Sequence, residues 1–307
     1  MDWTHRIRLR NLKIILSLAQ TRNLSHSAAL LNTTQPGLSK WLKDLEEDIG
    51  LQLFERHARG LRLTPHGETL VAHARRIDAQ LDRAASDMQA LRDGGGGRLV
   101  IGASGAAASE TAPRAVLALL AEMPQLRVEF VEGTIDRLLN QLGQGDLDIV
   151  LGRSVTERYD ESSVRAEVLY VEPIDLVARA GHPLFERGSF DWDELRSYRW
   201  VVWPRGTPIR NAMDQALVAV RQEPPPDYVV SNSVTANITM LNNSDMIGTA
   251  SRRATLMLGR LQLLRTLPVE FPGFGSVSMY WRRDELYPQA VEAGLACIRR
   301  IARDYEA

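Results

Sequence analysis

Residues 33–46 read "TTQPGLSKWLKDLE", and the fold turns on how this stretch is read. Leu38, Leu42, Leu45 and Ile49 recur at steps of four, three and four, the spacing that holds side chains on one face of a helix. Pro36 fits the first turn, where its missing N–H has no intrahelical partner, and Thr34 is a good N-cap before it. At about 100° per residue the opposite face collects Pro36, Lys40 and Lys43, with Ser39 on its flank. Such a helix buries one side and offers a cationic side to an anion.

The 307 residues, 44% hydrophobic and 24% charged, suit about two domains with full cores. No apolar run reaches the length of a membrane span, and "MDWTHRIRLRNL" at the start is charged throughout, so a cytoplasmic chain without membrane partners is expected. Cys297, the only cysteine, excludes an internal disulfide, a CxxC pair and a cysteine zinc cage. The net charge of -1 conceals a gradient. Up to Gly67 ten basic residues face six acidic ones, a net of +4, which leaves -5 for the rest, and all three lysines, Lys13, Lys40 and Lys43, lie in that first segment. The basic end is the one suited to a polyanion.

Leu9 to Arg22 reads as an amphipathic helix with Leu12, Ile15, Leu16 and Ala19 inward, followed by "NLSHSAALLN" with Ser25 as the expected N-cap. A turn over Asn32 to Thr34 leads into the quoted helix. Helix, short turn, helix is the arrangement that lays its second helix in the DNA major groove. "LQLFER" and "GLRLT" then form strands around the basic tip "HARG", a wing.

A long helix is expected from Thr64 as N-cap and Pro65 at its first position. Leu70, Ala74, Ile77, Leu81, Ala84, Met88 and Leu91 follow one another at alternating steps of four and three, a heptad seam that two copies side by side would bury. It ends at "DGGGG", residues 93–97, a flexible joint and domain boundary. Beyond it strands alternate with helices. "RLVIGAS", "LRVEFVEG" and "LDIVLGR" form a first set, and "IDLVAR", "RWVVWP", "DYVVSNS" and "DMIGTAS" a second, before a return through "SVSMYW" and a last helix from Pro288. Apolar runs such as Ile149–Leu151 suit strands covered on both faces, hence a mainly parallel α/β sheet. Crossings near 170–175 and 267–271 would join two lobes around a cleft.

"LSHSAALLNTTQPGLSKWLKDLEEDIGLQLFERHARGLRLTPHGE" resembles the N-terminal signature of LysR-type transcriptional regulators, and "EGT...LLNQLGQGDLDIVLGR" resembles the body of that family. The resemblance implies an α/β protein with an N-terminal winged helix-turn-helix (1–64), a coiled-coil linker helix (65–93) and an effector-binding domain (94–307) built like a type II periplasmic binding protein. Lobe I would take about 98–171 and 272–307, and lobe II about 172–271. It further implies promoter DNA, a small-molecule effector and RNA polymerase as partners, self-association as a homodimer or homotetramer, and no cofactor. Gly37 departs from the family's usual alanine, which weakens the helix by about 1 kcal/mol. Trp41 replaces a small or polar residue and by angle sits beside the leucine face.

The DNA contacts expected are Thr34, Gln35, Pro36, Ser39, Lys40 and Lys43 on the helix and Arg56, Arg59 and Arg62 on the wing. Gln35 can pair bidentately with adenine, the lysines can reach guanine or phosphate, and the wing arginines suit backbone or minor groove. For the effector, the resemblance points to the loop after the first strand (Ser104, Gly105, Ala106), Thr134, Arg153, the entry to a lobe II helix (Pro204, Arg205, Gly206, Thr207), and Ser233 and Thr249 on the far wall. Arg153 or Arg205 can hold an organic acid. The rival class is an enzyme, because "IGASGAAAS" with Glu132 imitates a dinucleotide fingerprint. The full G-x-G-x-x-G is missing, and the absence of lysine after position 43 excludes a Tyr-x-x-x-Lys pair, a Schiff-base lysine and a P-loop there. A DNA binder without a ligand is the third class, and it would need no cleft.

Overall fold

The computed structural model describes residues 3–57, 60–92, 97–105, 107–153, 163–187, 190–283 and 287–303, without the side chains of residues 86, 87, 90 and 91. Two compact units result, one of residues 1–94 with 143–146 and one of the remainder.

In the first unit, α1 (Leu9–Thr21), α2 (Leu24–Leu30) and α3 (Gln35–Ile49) surround a core of Leu12, Ile15, Leu18, Leu38, Leu42 and Leu45. Thr34 caps α3 by accepting the Gly37 N–H, Gly50 ends it in the left-handed region, and Trp41 is half-buried against the core. The expected cap of α2 is corrected: Asn23, not Ser25, accepts the His26 N–H at 3.0 Å, because the helix begins at Leu24 and so places its capping position at Asn23.

The wing pairs β1 (Phe54–His57) with β2 (Gly60–Leu63) in antiparallel register. The end of α3 holds its base. Glu46 Oε1 accepts both the Leu53 and Phe54 N–H groups, at 2.7 and 3.0 Å. At its tip side Leu61 N–H donates to Arg22 O, and Gly60 has φ 124 with an added Cβ falling 2.3 Å from that same carbonyl oxygen. Only glycine meets both demands.

From Thr64, whose hydroxyl accepts the Gly67 N–H, α4 (Pro65–Arg92) runs 28 residues. Here the seam needs a correction at its start. Ala74 is 1% exposed and Leu70 is half-buried, both packed on this chain's own helix-turn-helix core, so little of either remains for a second copy to cover. Ile77, Leu81, Ala84 and Met88 stay exposed, while Leu91's side chain lies outside the described residues. So do residues 93–96 of the expected joint.

The second unit carries, in chain order, β3 (Arg98–Ala103), α5 (Ala112–Glu122), β4 (Arg127–Glu132), α6 (Ile135–Gln144), β5 (Ile149–Arg153), β6 (Val164–Arg179), α7 (Trp192–Ser197), β7 (Trp200–Val202), α8 (Pro208–Ala219), β8 (Tyr228–Val230), α9 (Val234–Asn242), β9 (Ile247–Ser251), α10 (Arg252–Arg260), β10 (Leu264–Thr266), β11 (Phe274–Arg282) and α11 (Gln289–Arg303). The strand order is β4-β3-β5-β11-β6-β9-β7-β8, with β10 beside β6. The 16-residue β6 serves both lobes. Up to Pro173 it pairs with β11, and from Ile174 with β9. Parallel pairs β3–β4, β3–β5, β7–β8 and β7–β9 complete each lobe. Apolar layers cover both faces of β3, β5 and β7, which is why these strands lack polar alternation.

Gly60→Ala combines a strained backbone with a clash against Arg22 O, and it is expected to destabilise the first unit by about 1–3 kcal/mol. Chemical denaturation of the full chain checks this; an unchanged first transition would contradict the packing described.

Candidate nucleic-acid interface and effector site

On α3, Thr34, Gln35, Pro36, Lys40 and Lys43 are exposed while the leucine face is buried, so the helix presents the surface its sequence spacing demands. Lys40 has no ionic partner among the described residues, and Lys43 lies 3.5 Å from Glu47 one turn on, a solvent-exposed pair. Ser39 is not free: Arg56 Nη2 on β1 donates to its Oγ at 2.6 Å. That bond fastens the wing to the recognition helix and leaves the serine's own O–H able to donate to a base or phosphate. Arg62 is exposed on β2, and Arg59 lies outside the described residues.

The effector residues fall on two faces of the lobe I sheet. Ser104 follows β3, its N–H bonded to Leu151 O, and its Oγ stands 2.3 Å from where a Gly152 Cβ would be. Ile135 crowds the same point, so Ser104 and the start of α6, where Thr134 is exposed, share the Gly152 side of β5. Gly105 has φ 51 and is exposed, and Ala106 lies outside the described residues. Arg153, next along β5, alternates to the other face. Its guanidinium reaches across β11, where a Cβ on Gly275 would lie 2.5 Å from Nη1.

Arg153 is 7% exposed, and neither Nη1 nor Nη2 has a hydrogen-bond partner among the described residues. Burial pushes its pKa below the usual guanidinium range, opposed by the charge of Glu172 and by Tyr170. Glu172, directly opposite Gly275 in the β6–β11 register, is 1% exposed. Its carboxylate is held by Arg253 at the start of α10: Oε1 accepts the backbone N–H at 2.9 Å and Oε2 lies 3.1 Å from Nε. Burial raises the Glu172 pKa, and the Arg253 N–H bond and the charges of Arg253 and Arg153 oppose the rise. The Arg253 guanidinium lies 3.3 Å over the Tyr170 ring and donates to Thr111 Oγ1, which also bonds the Tyr170 hydroxyl at 2.7 Å. Thr111 ends a π-helical turn, Ala107–Thr111, that precedes α5. One arginine of lobe II thus joins the crossing strand to lobe I.

The lobe II candidates are more occupied. Thr207 Oγ1 donates to Pro204 O at 2.7 Å, Gly206 turns with φ 80, and Arg205 is exposed. Ser233 caps α9 by accepting the Ala236 N–H. Thr249 and Ser251, alternate residues of β9, carry buried hydroxyls without partners among the described residues, and the Thr249 carbonyl accepts from Trp203 Nε1. Sequence reading missed Glu172, Tyr170, Thr111, Arg253 and Ser251. Two acids three apart at the crossing, Glu172 and Asp175, and paired arginines after a strand, Arg252 and Arg253, were the available signals.

This assembly of winged helix-turn-helix, long helix and two-lobed α/β domain defines a one-component transcription factor. Residues 9–68 match the bacterial regulatory helix-turn-helix proteins of the lysR family, and residues 92–303 match the LysR substrate binding domain. The chain belongs to the LysR family of transcriptional regulators. Among relatives, GbpR of Azospirillum brasilense is 29% identical over 298 residues, covering 96% of this chain and 86% of its own. PcaQ of Agrobacterium fabrum is 30% identical over 265 residues, covering 86% and 85%. Full-length CbnR in complex with its target DNA shares the fold with TM-score 0.70 at 20% identity, over 96% of this chain and all of that one. The relatives are DNA-binding regulators, which sets the dehydrogenase reading aside.

The salt dependence of DNA binding reports how many phosphates the protein neutralises. Lys40→Ala, Arg59→Ala and Arg62→Ala are each expected to weaken binding, and removing a side chain that neutralises one phosphate should lower the log–log salt slope by about 0.9. Fluorescence anisotropy on a duplex from upstream of the gene checks this, and wild-type affinity in all three variants would contradict the interface.

Proposed function

We propose that this regulator senses a small organic acid through Arg153, and that the ligand resets the two lobes and so the promoter contacts of the paired DNA-reading heads. The observation that carries the reading is a buried guanidinium whose two terminal nitrogens have no hydrogen-bond partner among the described residues. An unpaired buried charge is costly, and a carboxylate matches the guanidinium fork with two parallel hydrogen bonds. In this reading Ser104, Gly105 and Thr134 would approach the ligand from the lobe I strand ends, and Pro204, Arg205, Gly206, Thr207, Ser233 and Thr249 from lobe II, while Ala106 lies outside the described residues. Ser251 joins Thr249 as a hydroxyl that a polar ligand can satisfy.

The linker supports self-association in the same way. Exposed Ile77, Leu81 and Met88 on one heptad seam are apolar surface that a second copy covers, giving a homodimer that can pair again into a tetramer. Two heads then address two half-sites of a promoter operator, with RNA polymerase as the downstream partner and the cytoplasm as the setting. No helix among the described residues is long and apolar enough to cross a membrane.

Two measurements test this reading. Arg153→Gln should abolish the ligand-induced change in the promoter footprint while leaving DNA affinity without ligand unchanged; a full response in this variant would refute the anchor. Leu81→Asp should convert the assembly to monomers in sedimentation and weaken operator binding at least tenfold; an unchanged assembly would refute the seam.

A further inference from the structure

Thr249 and Ser251 on β9 are 5% and 4% exposed, and neither hydroxyl has a hydrogen-bond partner among the described residues. Their neighbours on the strand fix where they point. Ile247 packs in the α8 core with Met213 and Ala216, whereas a Cβ on Gly248 would meet Leu241 of α9. Alternation therefore sends positions 247, 249 and 251 to the α8 face. The backbone oxygens of both residues are engaged, Thr249 O by Trp203 Nε1 and Ser251 O by Thr255 Oγ1. Ser251 is also the N-cap of α10, and a capping serine accepts an N–H of the first helical turn. Here Glu172 Oε1 takes that part, accepting the Arg253 N–H at 2.9 Å, and the serine hydroxyl makes no cap bond.

The strand register brings these hydroxyls to the face of Arg153. Ser251 lies opposite Ile174 and Thr249 opposite Leu176, two and four residues along β6 from Glu172. Glu172 in turn lies opposite Gly275, where the Arg153 guanidinium crosses β11. With β6 between β11 and β9, the path from Gly275 to Ser251 is two strands across and two residues along, about 12 Å, the span of a small metabolite.

We infer that Thr249 and Ser251 read a neutral hydroxyl at the end of the ligand remote from its carboxylate, so that the effector is a hydroxy acid with its acid on Arg153 and its hydroxyl on β9. The inference rests on Arg153 as the anion anchor. A serine or threonine hydroxyl both donates and accepts, so a ligand hydroxyl meets each of them in either role. Ile174, Leu176 and Ile247 share their face, and a second carboxylate lodged among those side chains costs far more to desolvate than a neutral hydroxyl. Valine and alanine would fill the two positions without an unpaired polar atom, so the hydroxyls burden the ligand-free fold.

The experiment varies the remote end of the ligand and keeps the rest. Full-length protein is titrated at pH 7.5 with hexanoate, 6-hydroxyhexanoate and adipate, which share one chain and end in a methyl, a hydroxyl or a second carboxylate, and with benzoate against 4-hydroxybenzoate. Calorimetry and thermal unfolding read the binding. Wild type is expected to bind the hydroxy acid of each set at least about tenfold more tightly than the other members. Thr249→Val and Ser251→Ala should each reduce that preference and together erase it, without weakening hexanoate or benzoate. The isosteric Thr249→Val should melt no lower than wild type in the absence of ligand. Arg153→Gln should bind none of the five. Equal affinities within each set, a preference for adipate, an undiminished preference in the double variant, or a lowered melting temperature for Thr249→Val, with Arg153→Gln still abolishing binding, overturns the hydroxyl reading alone. Should the double variant fail to fold, the single variants and the wild-type comparison decide. Wild type that binds no probe, or Arg153→Gln that binds like wild type, removes the anchor and the inference with it.

Discussion

One strand must serve two sheets. Because β6 pairs with β11 up to Pro173 and with β9 from Ile174, its backbone is fixed on both sides of the crossing, and a polar side chain on its covered face is locked into the interior. Glu172 is such a side chain. A buried carboxylate needs charged or N–H partners, and the start of α10 supplies both through Arg253, whose backbone amide and guanidinium converge on it. The ion pair therefore follows from the crossing, and it ties the first turn of a lobe II helix to the strand that continues into lobe I.

The same crossing explains the electrostatics around Arg153, the proposed ligand anchor. Arg153 ends a strand of lobe I, alternation sends it to the face shared with Glu172, and Gly275 leaves the path open. Glu172 is already engaged, so among the described residues Arg153 remains a cation without a hydrogen-bonded counterion. Lobes joined by a single strand crossing and its return can shift relative to one another, and a ligand alters their balance only by contacting the two arrangements differently. In the proposed reading an anion on Arg153 meets that condition, because Arg153 ends a lobe I strand and lies in the field of Glu172, which Arg253 of lobe II holds.

Local features were legible in the sequence where period and punctuation agreed. The leucine spacing of α3, its Thr34 cap and the proline in its first turn all point one way, and the structure has each of them. The heptad of α4 shows how far a period goes: it identifies an apolar seam and not the partner that covers it, so Ala74 turns out buried in its own subunit. Asn23 and Ser25 are equally good capping residues two apart, and only the true helix start chooses between them. The nine-residue α9, "VTANITMLN", is rich in β-branched residues and lacks a helix-like sequence signature, so tertiary packing decides its form. Glu172 and Arg253 are 81 residues apart, and no local pattern announces such a pair. Arg153 could be named from its place after a strand, whereas its isolation could be found only from the folded chain.

The central claim is that Arg153 is the anion anchor of a ligand-switched regulator. Electron density at this side chain, in crystals of the full chain grown with an anion that raises its melting temperature, tests it most directly. The account predicts a carboxylate or equivalent oxygen pair bridging Nη1 and Nη2, with Glu172 still held by Arg253. Ligand density elsewhere, with the Arg153 guanidinium unaltered and unshared, would contradict it.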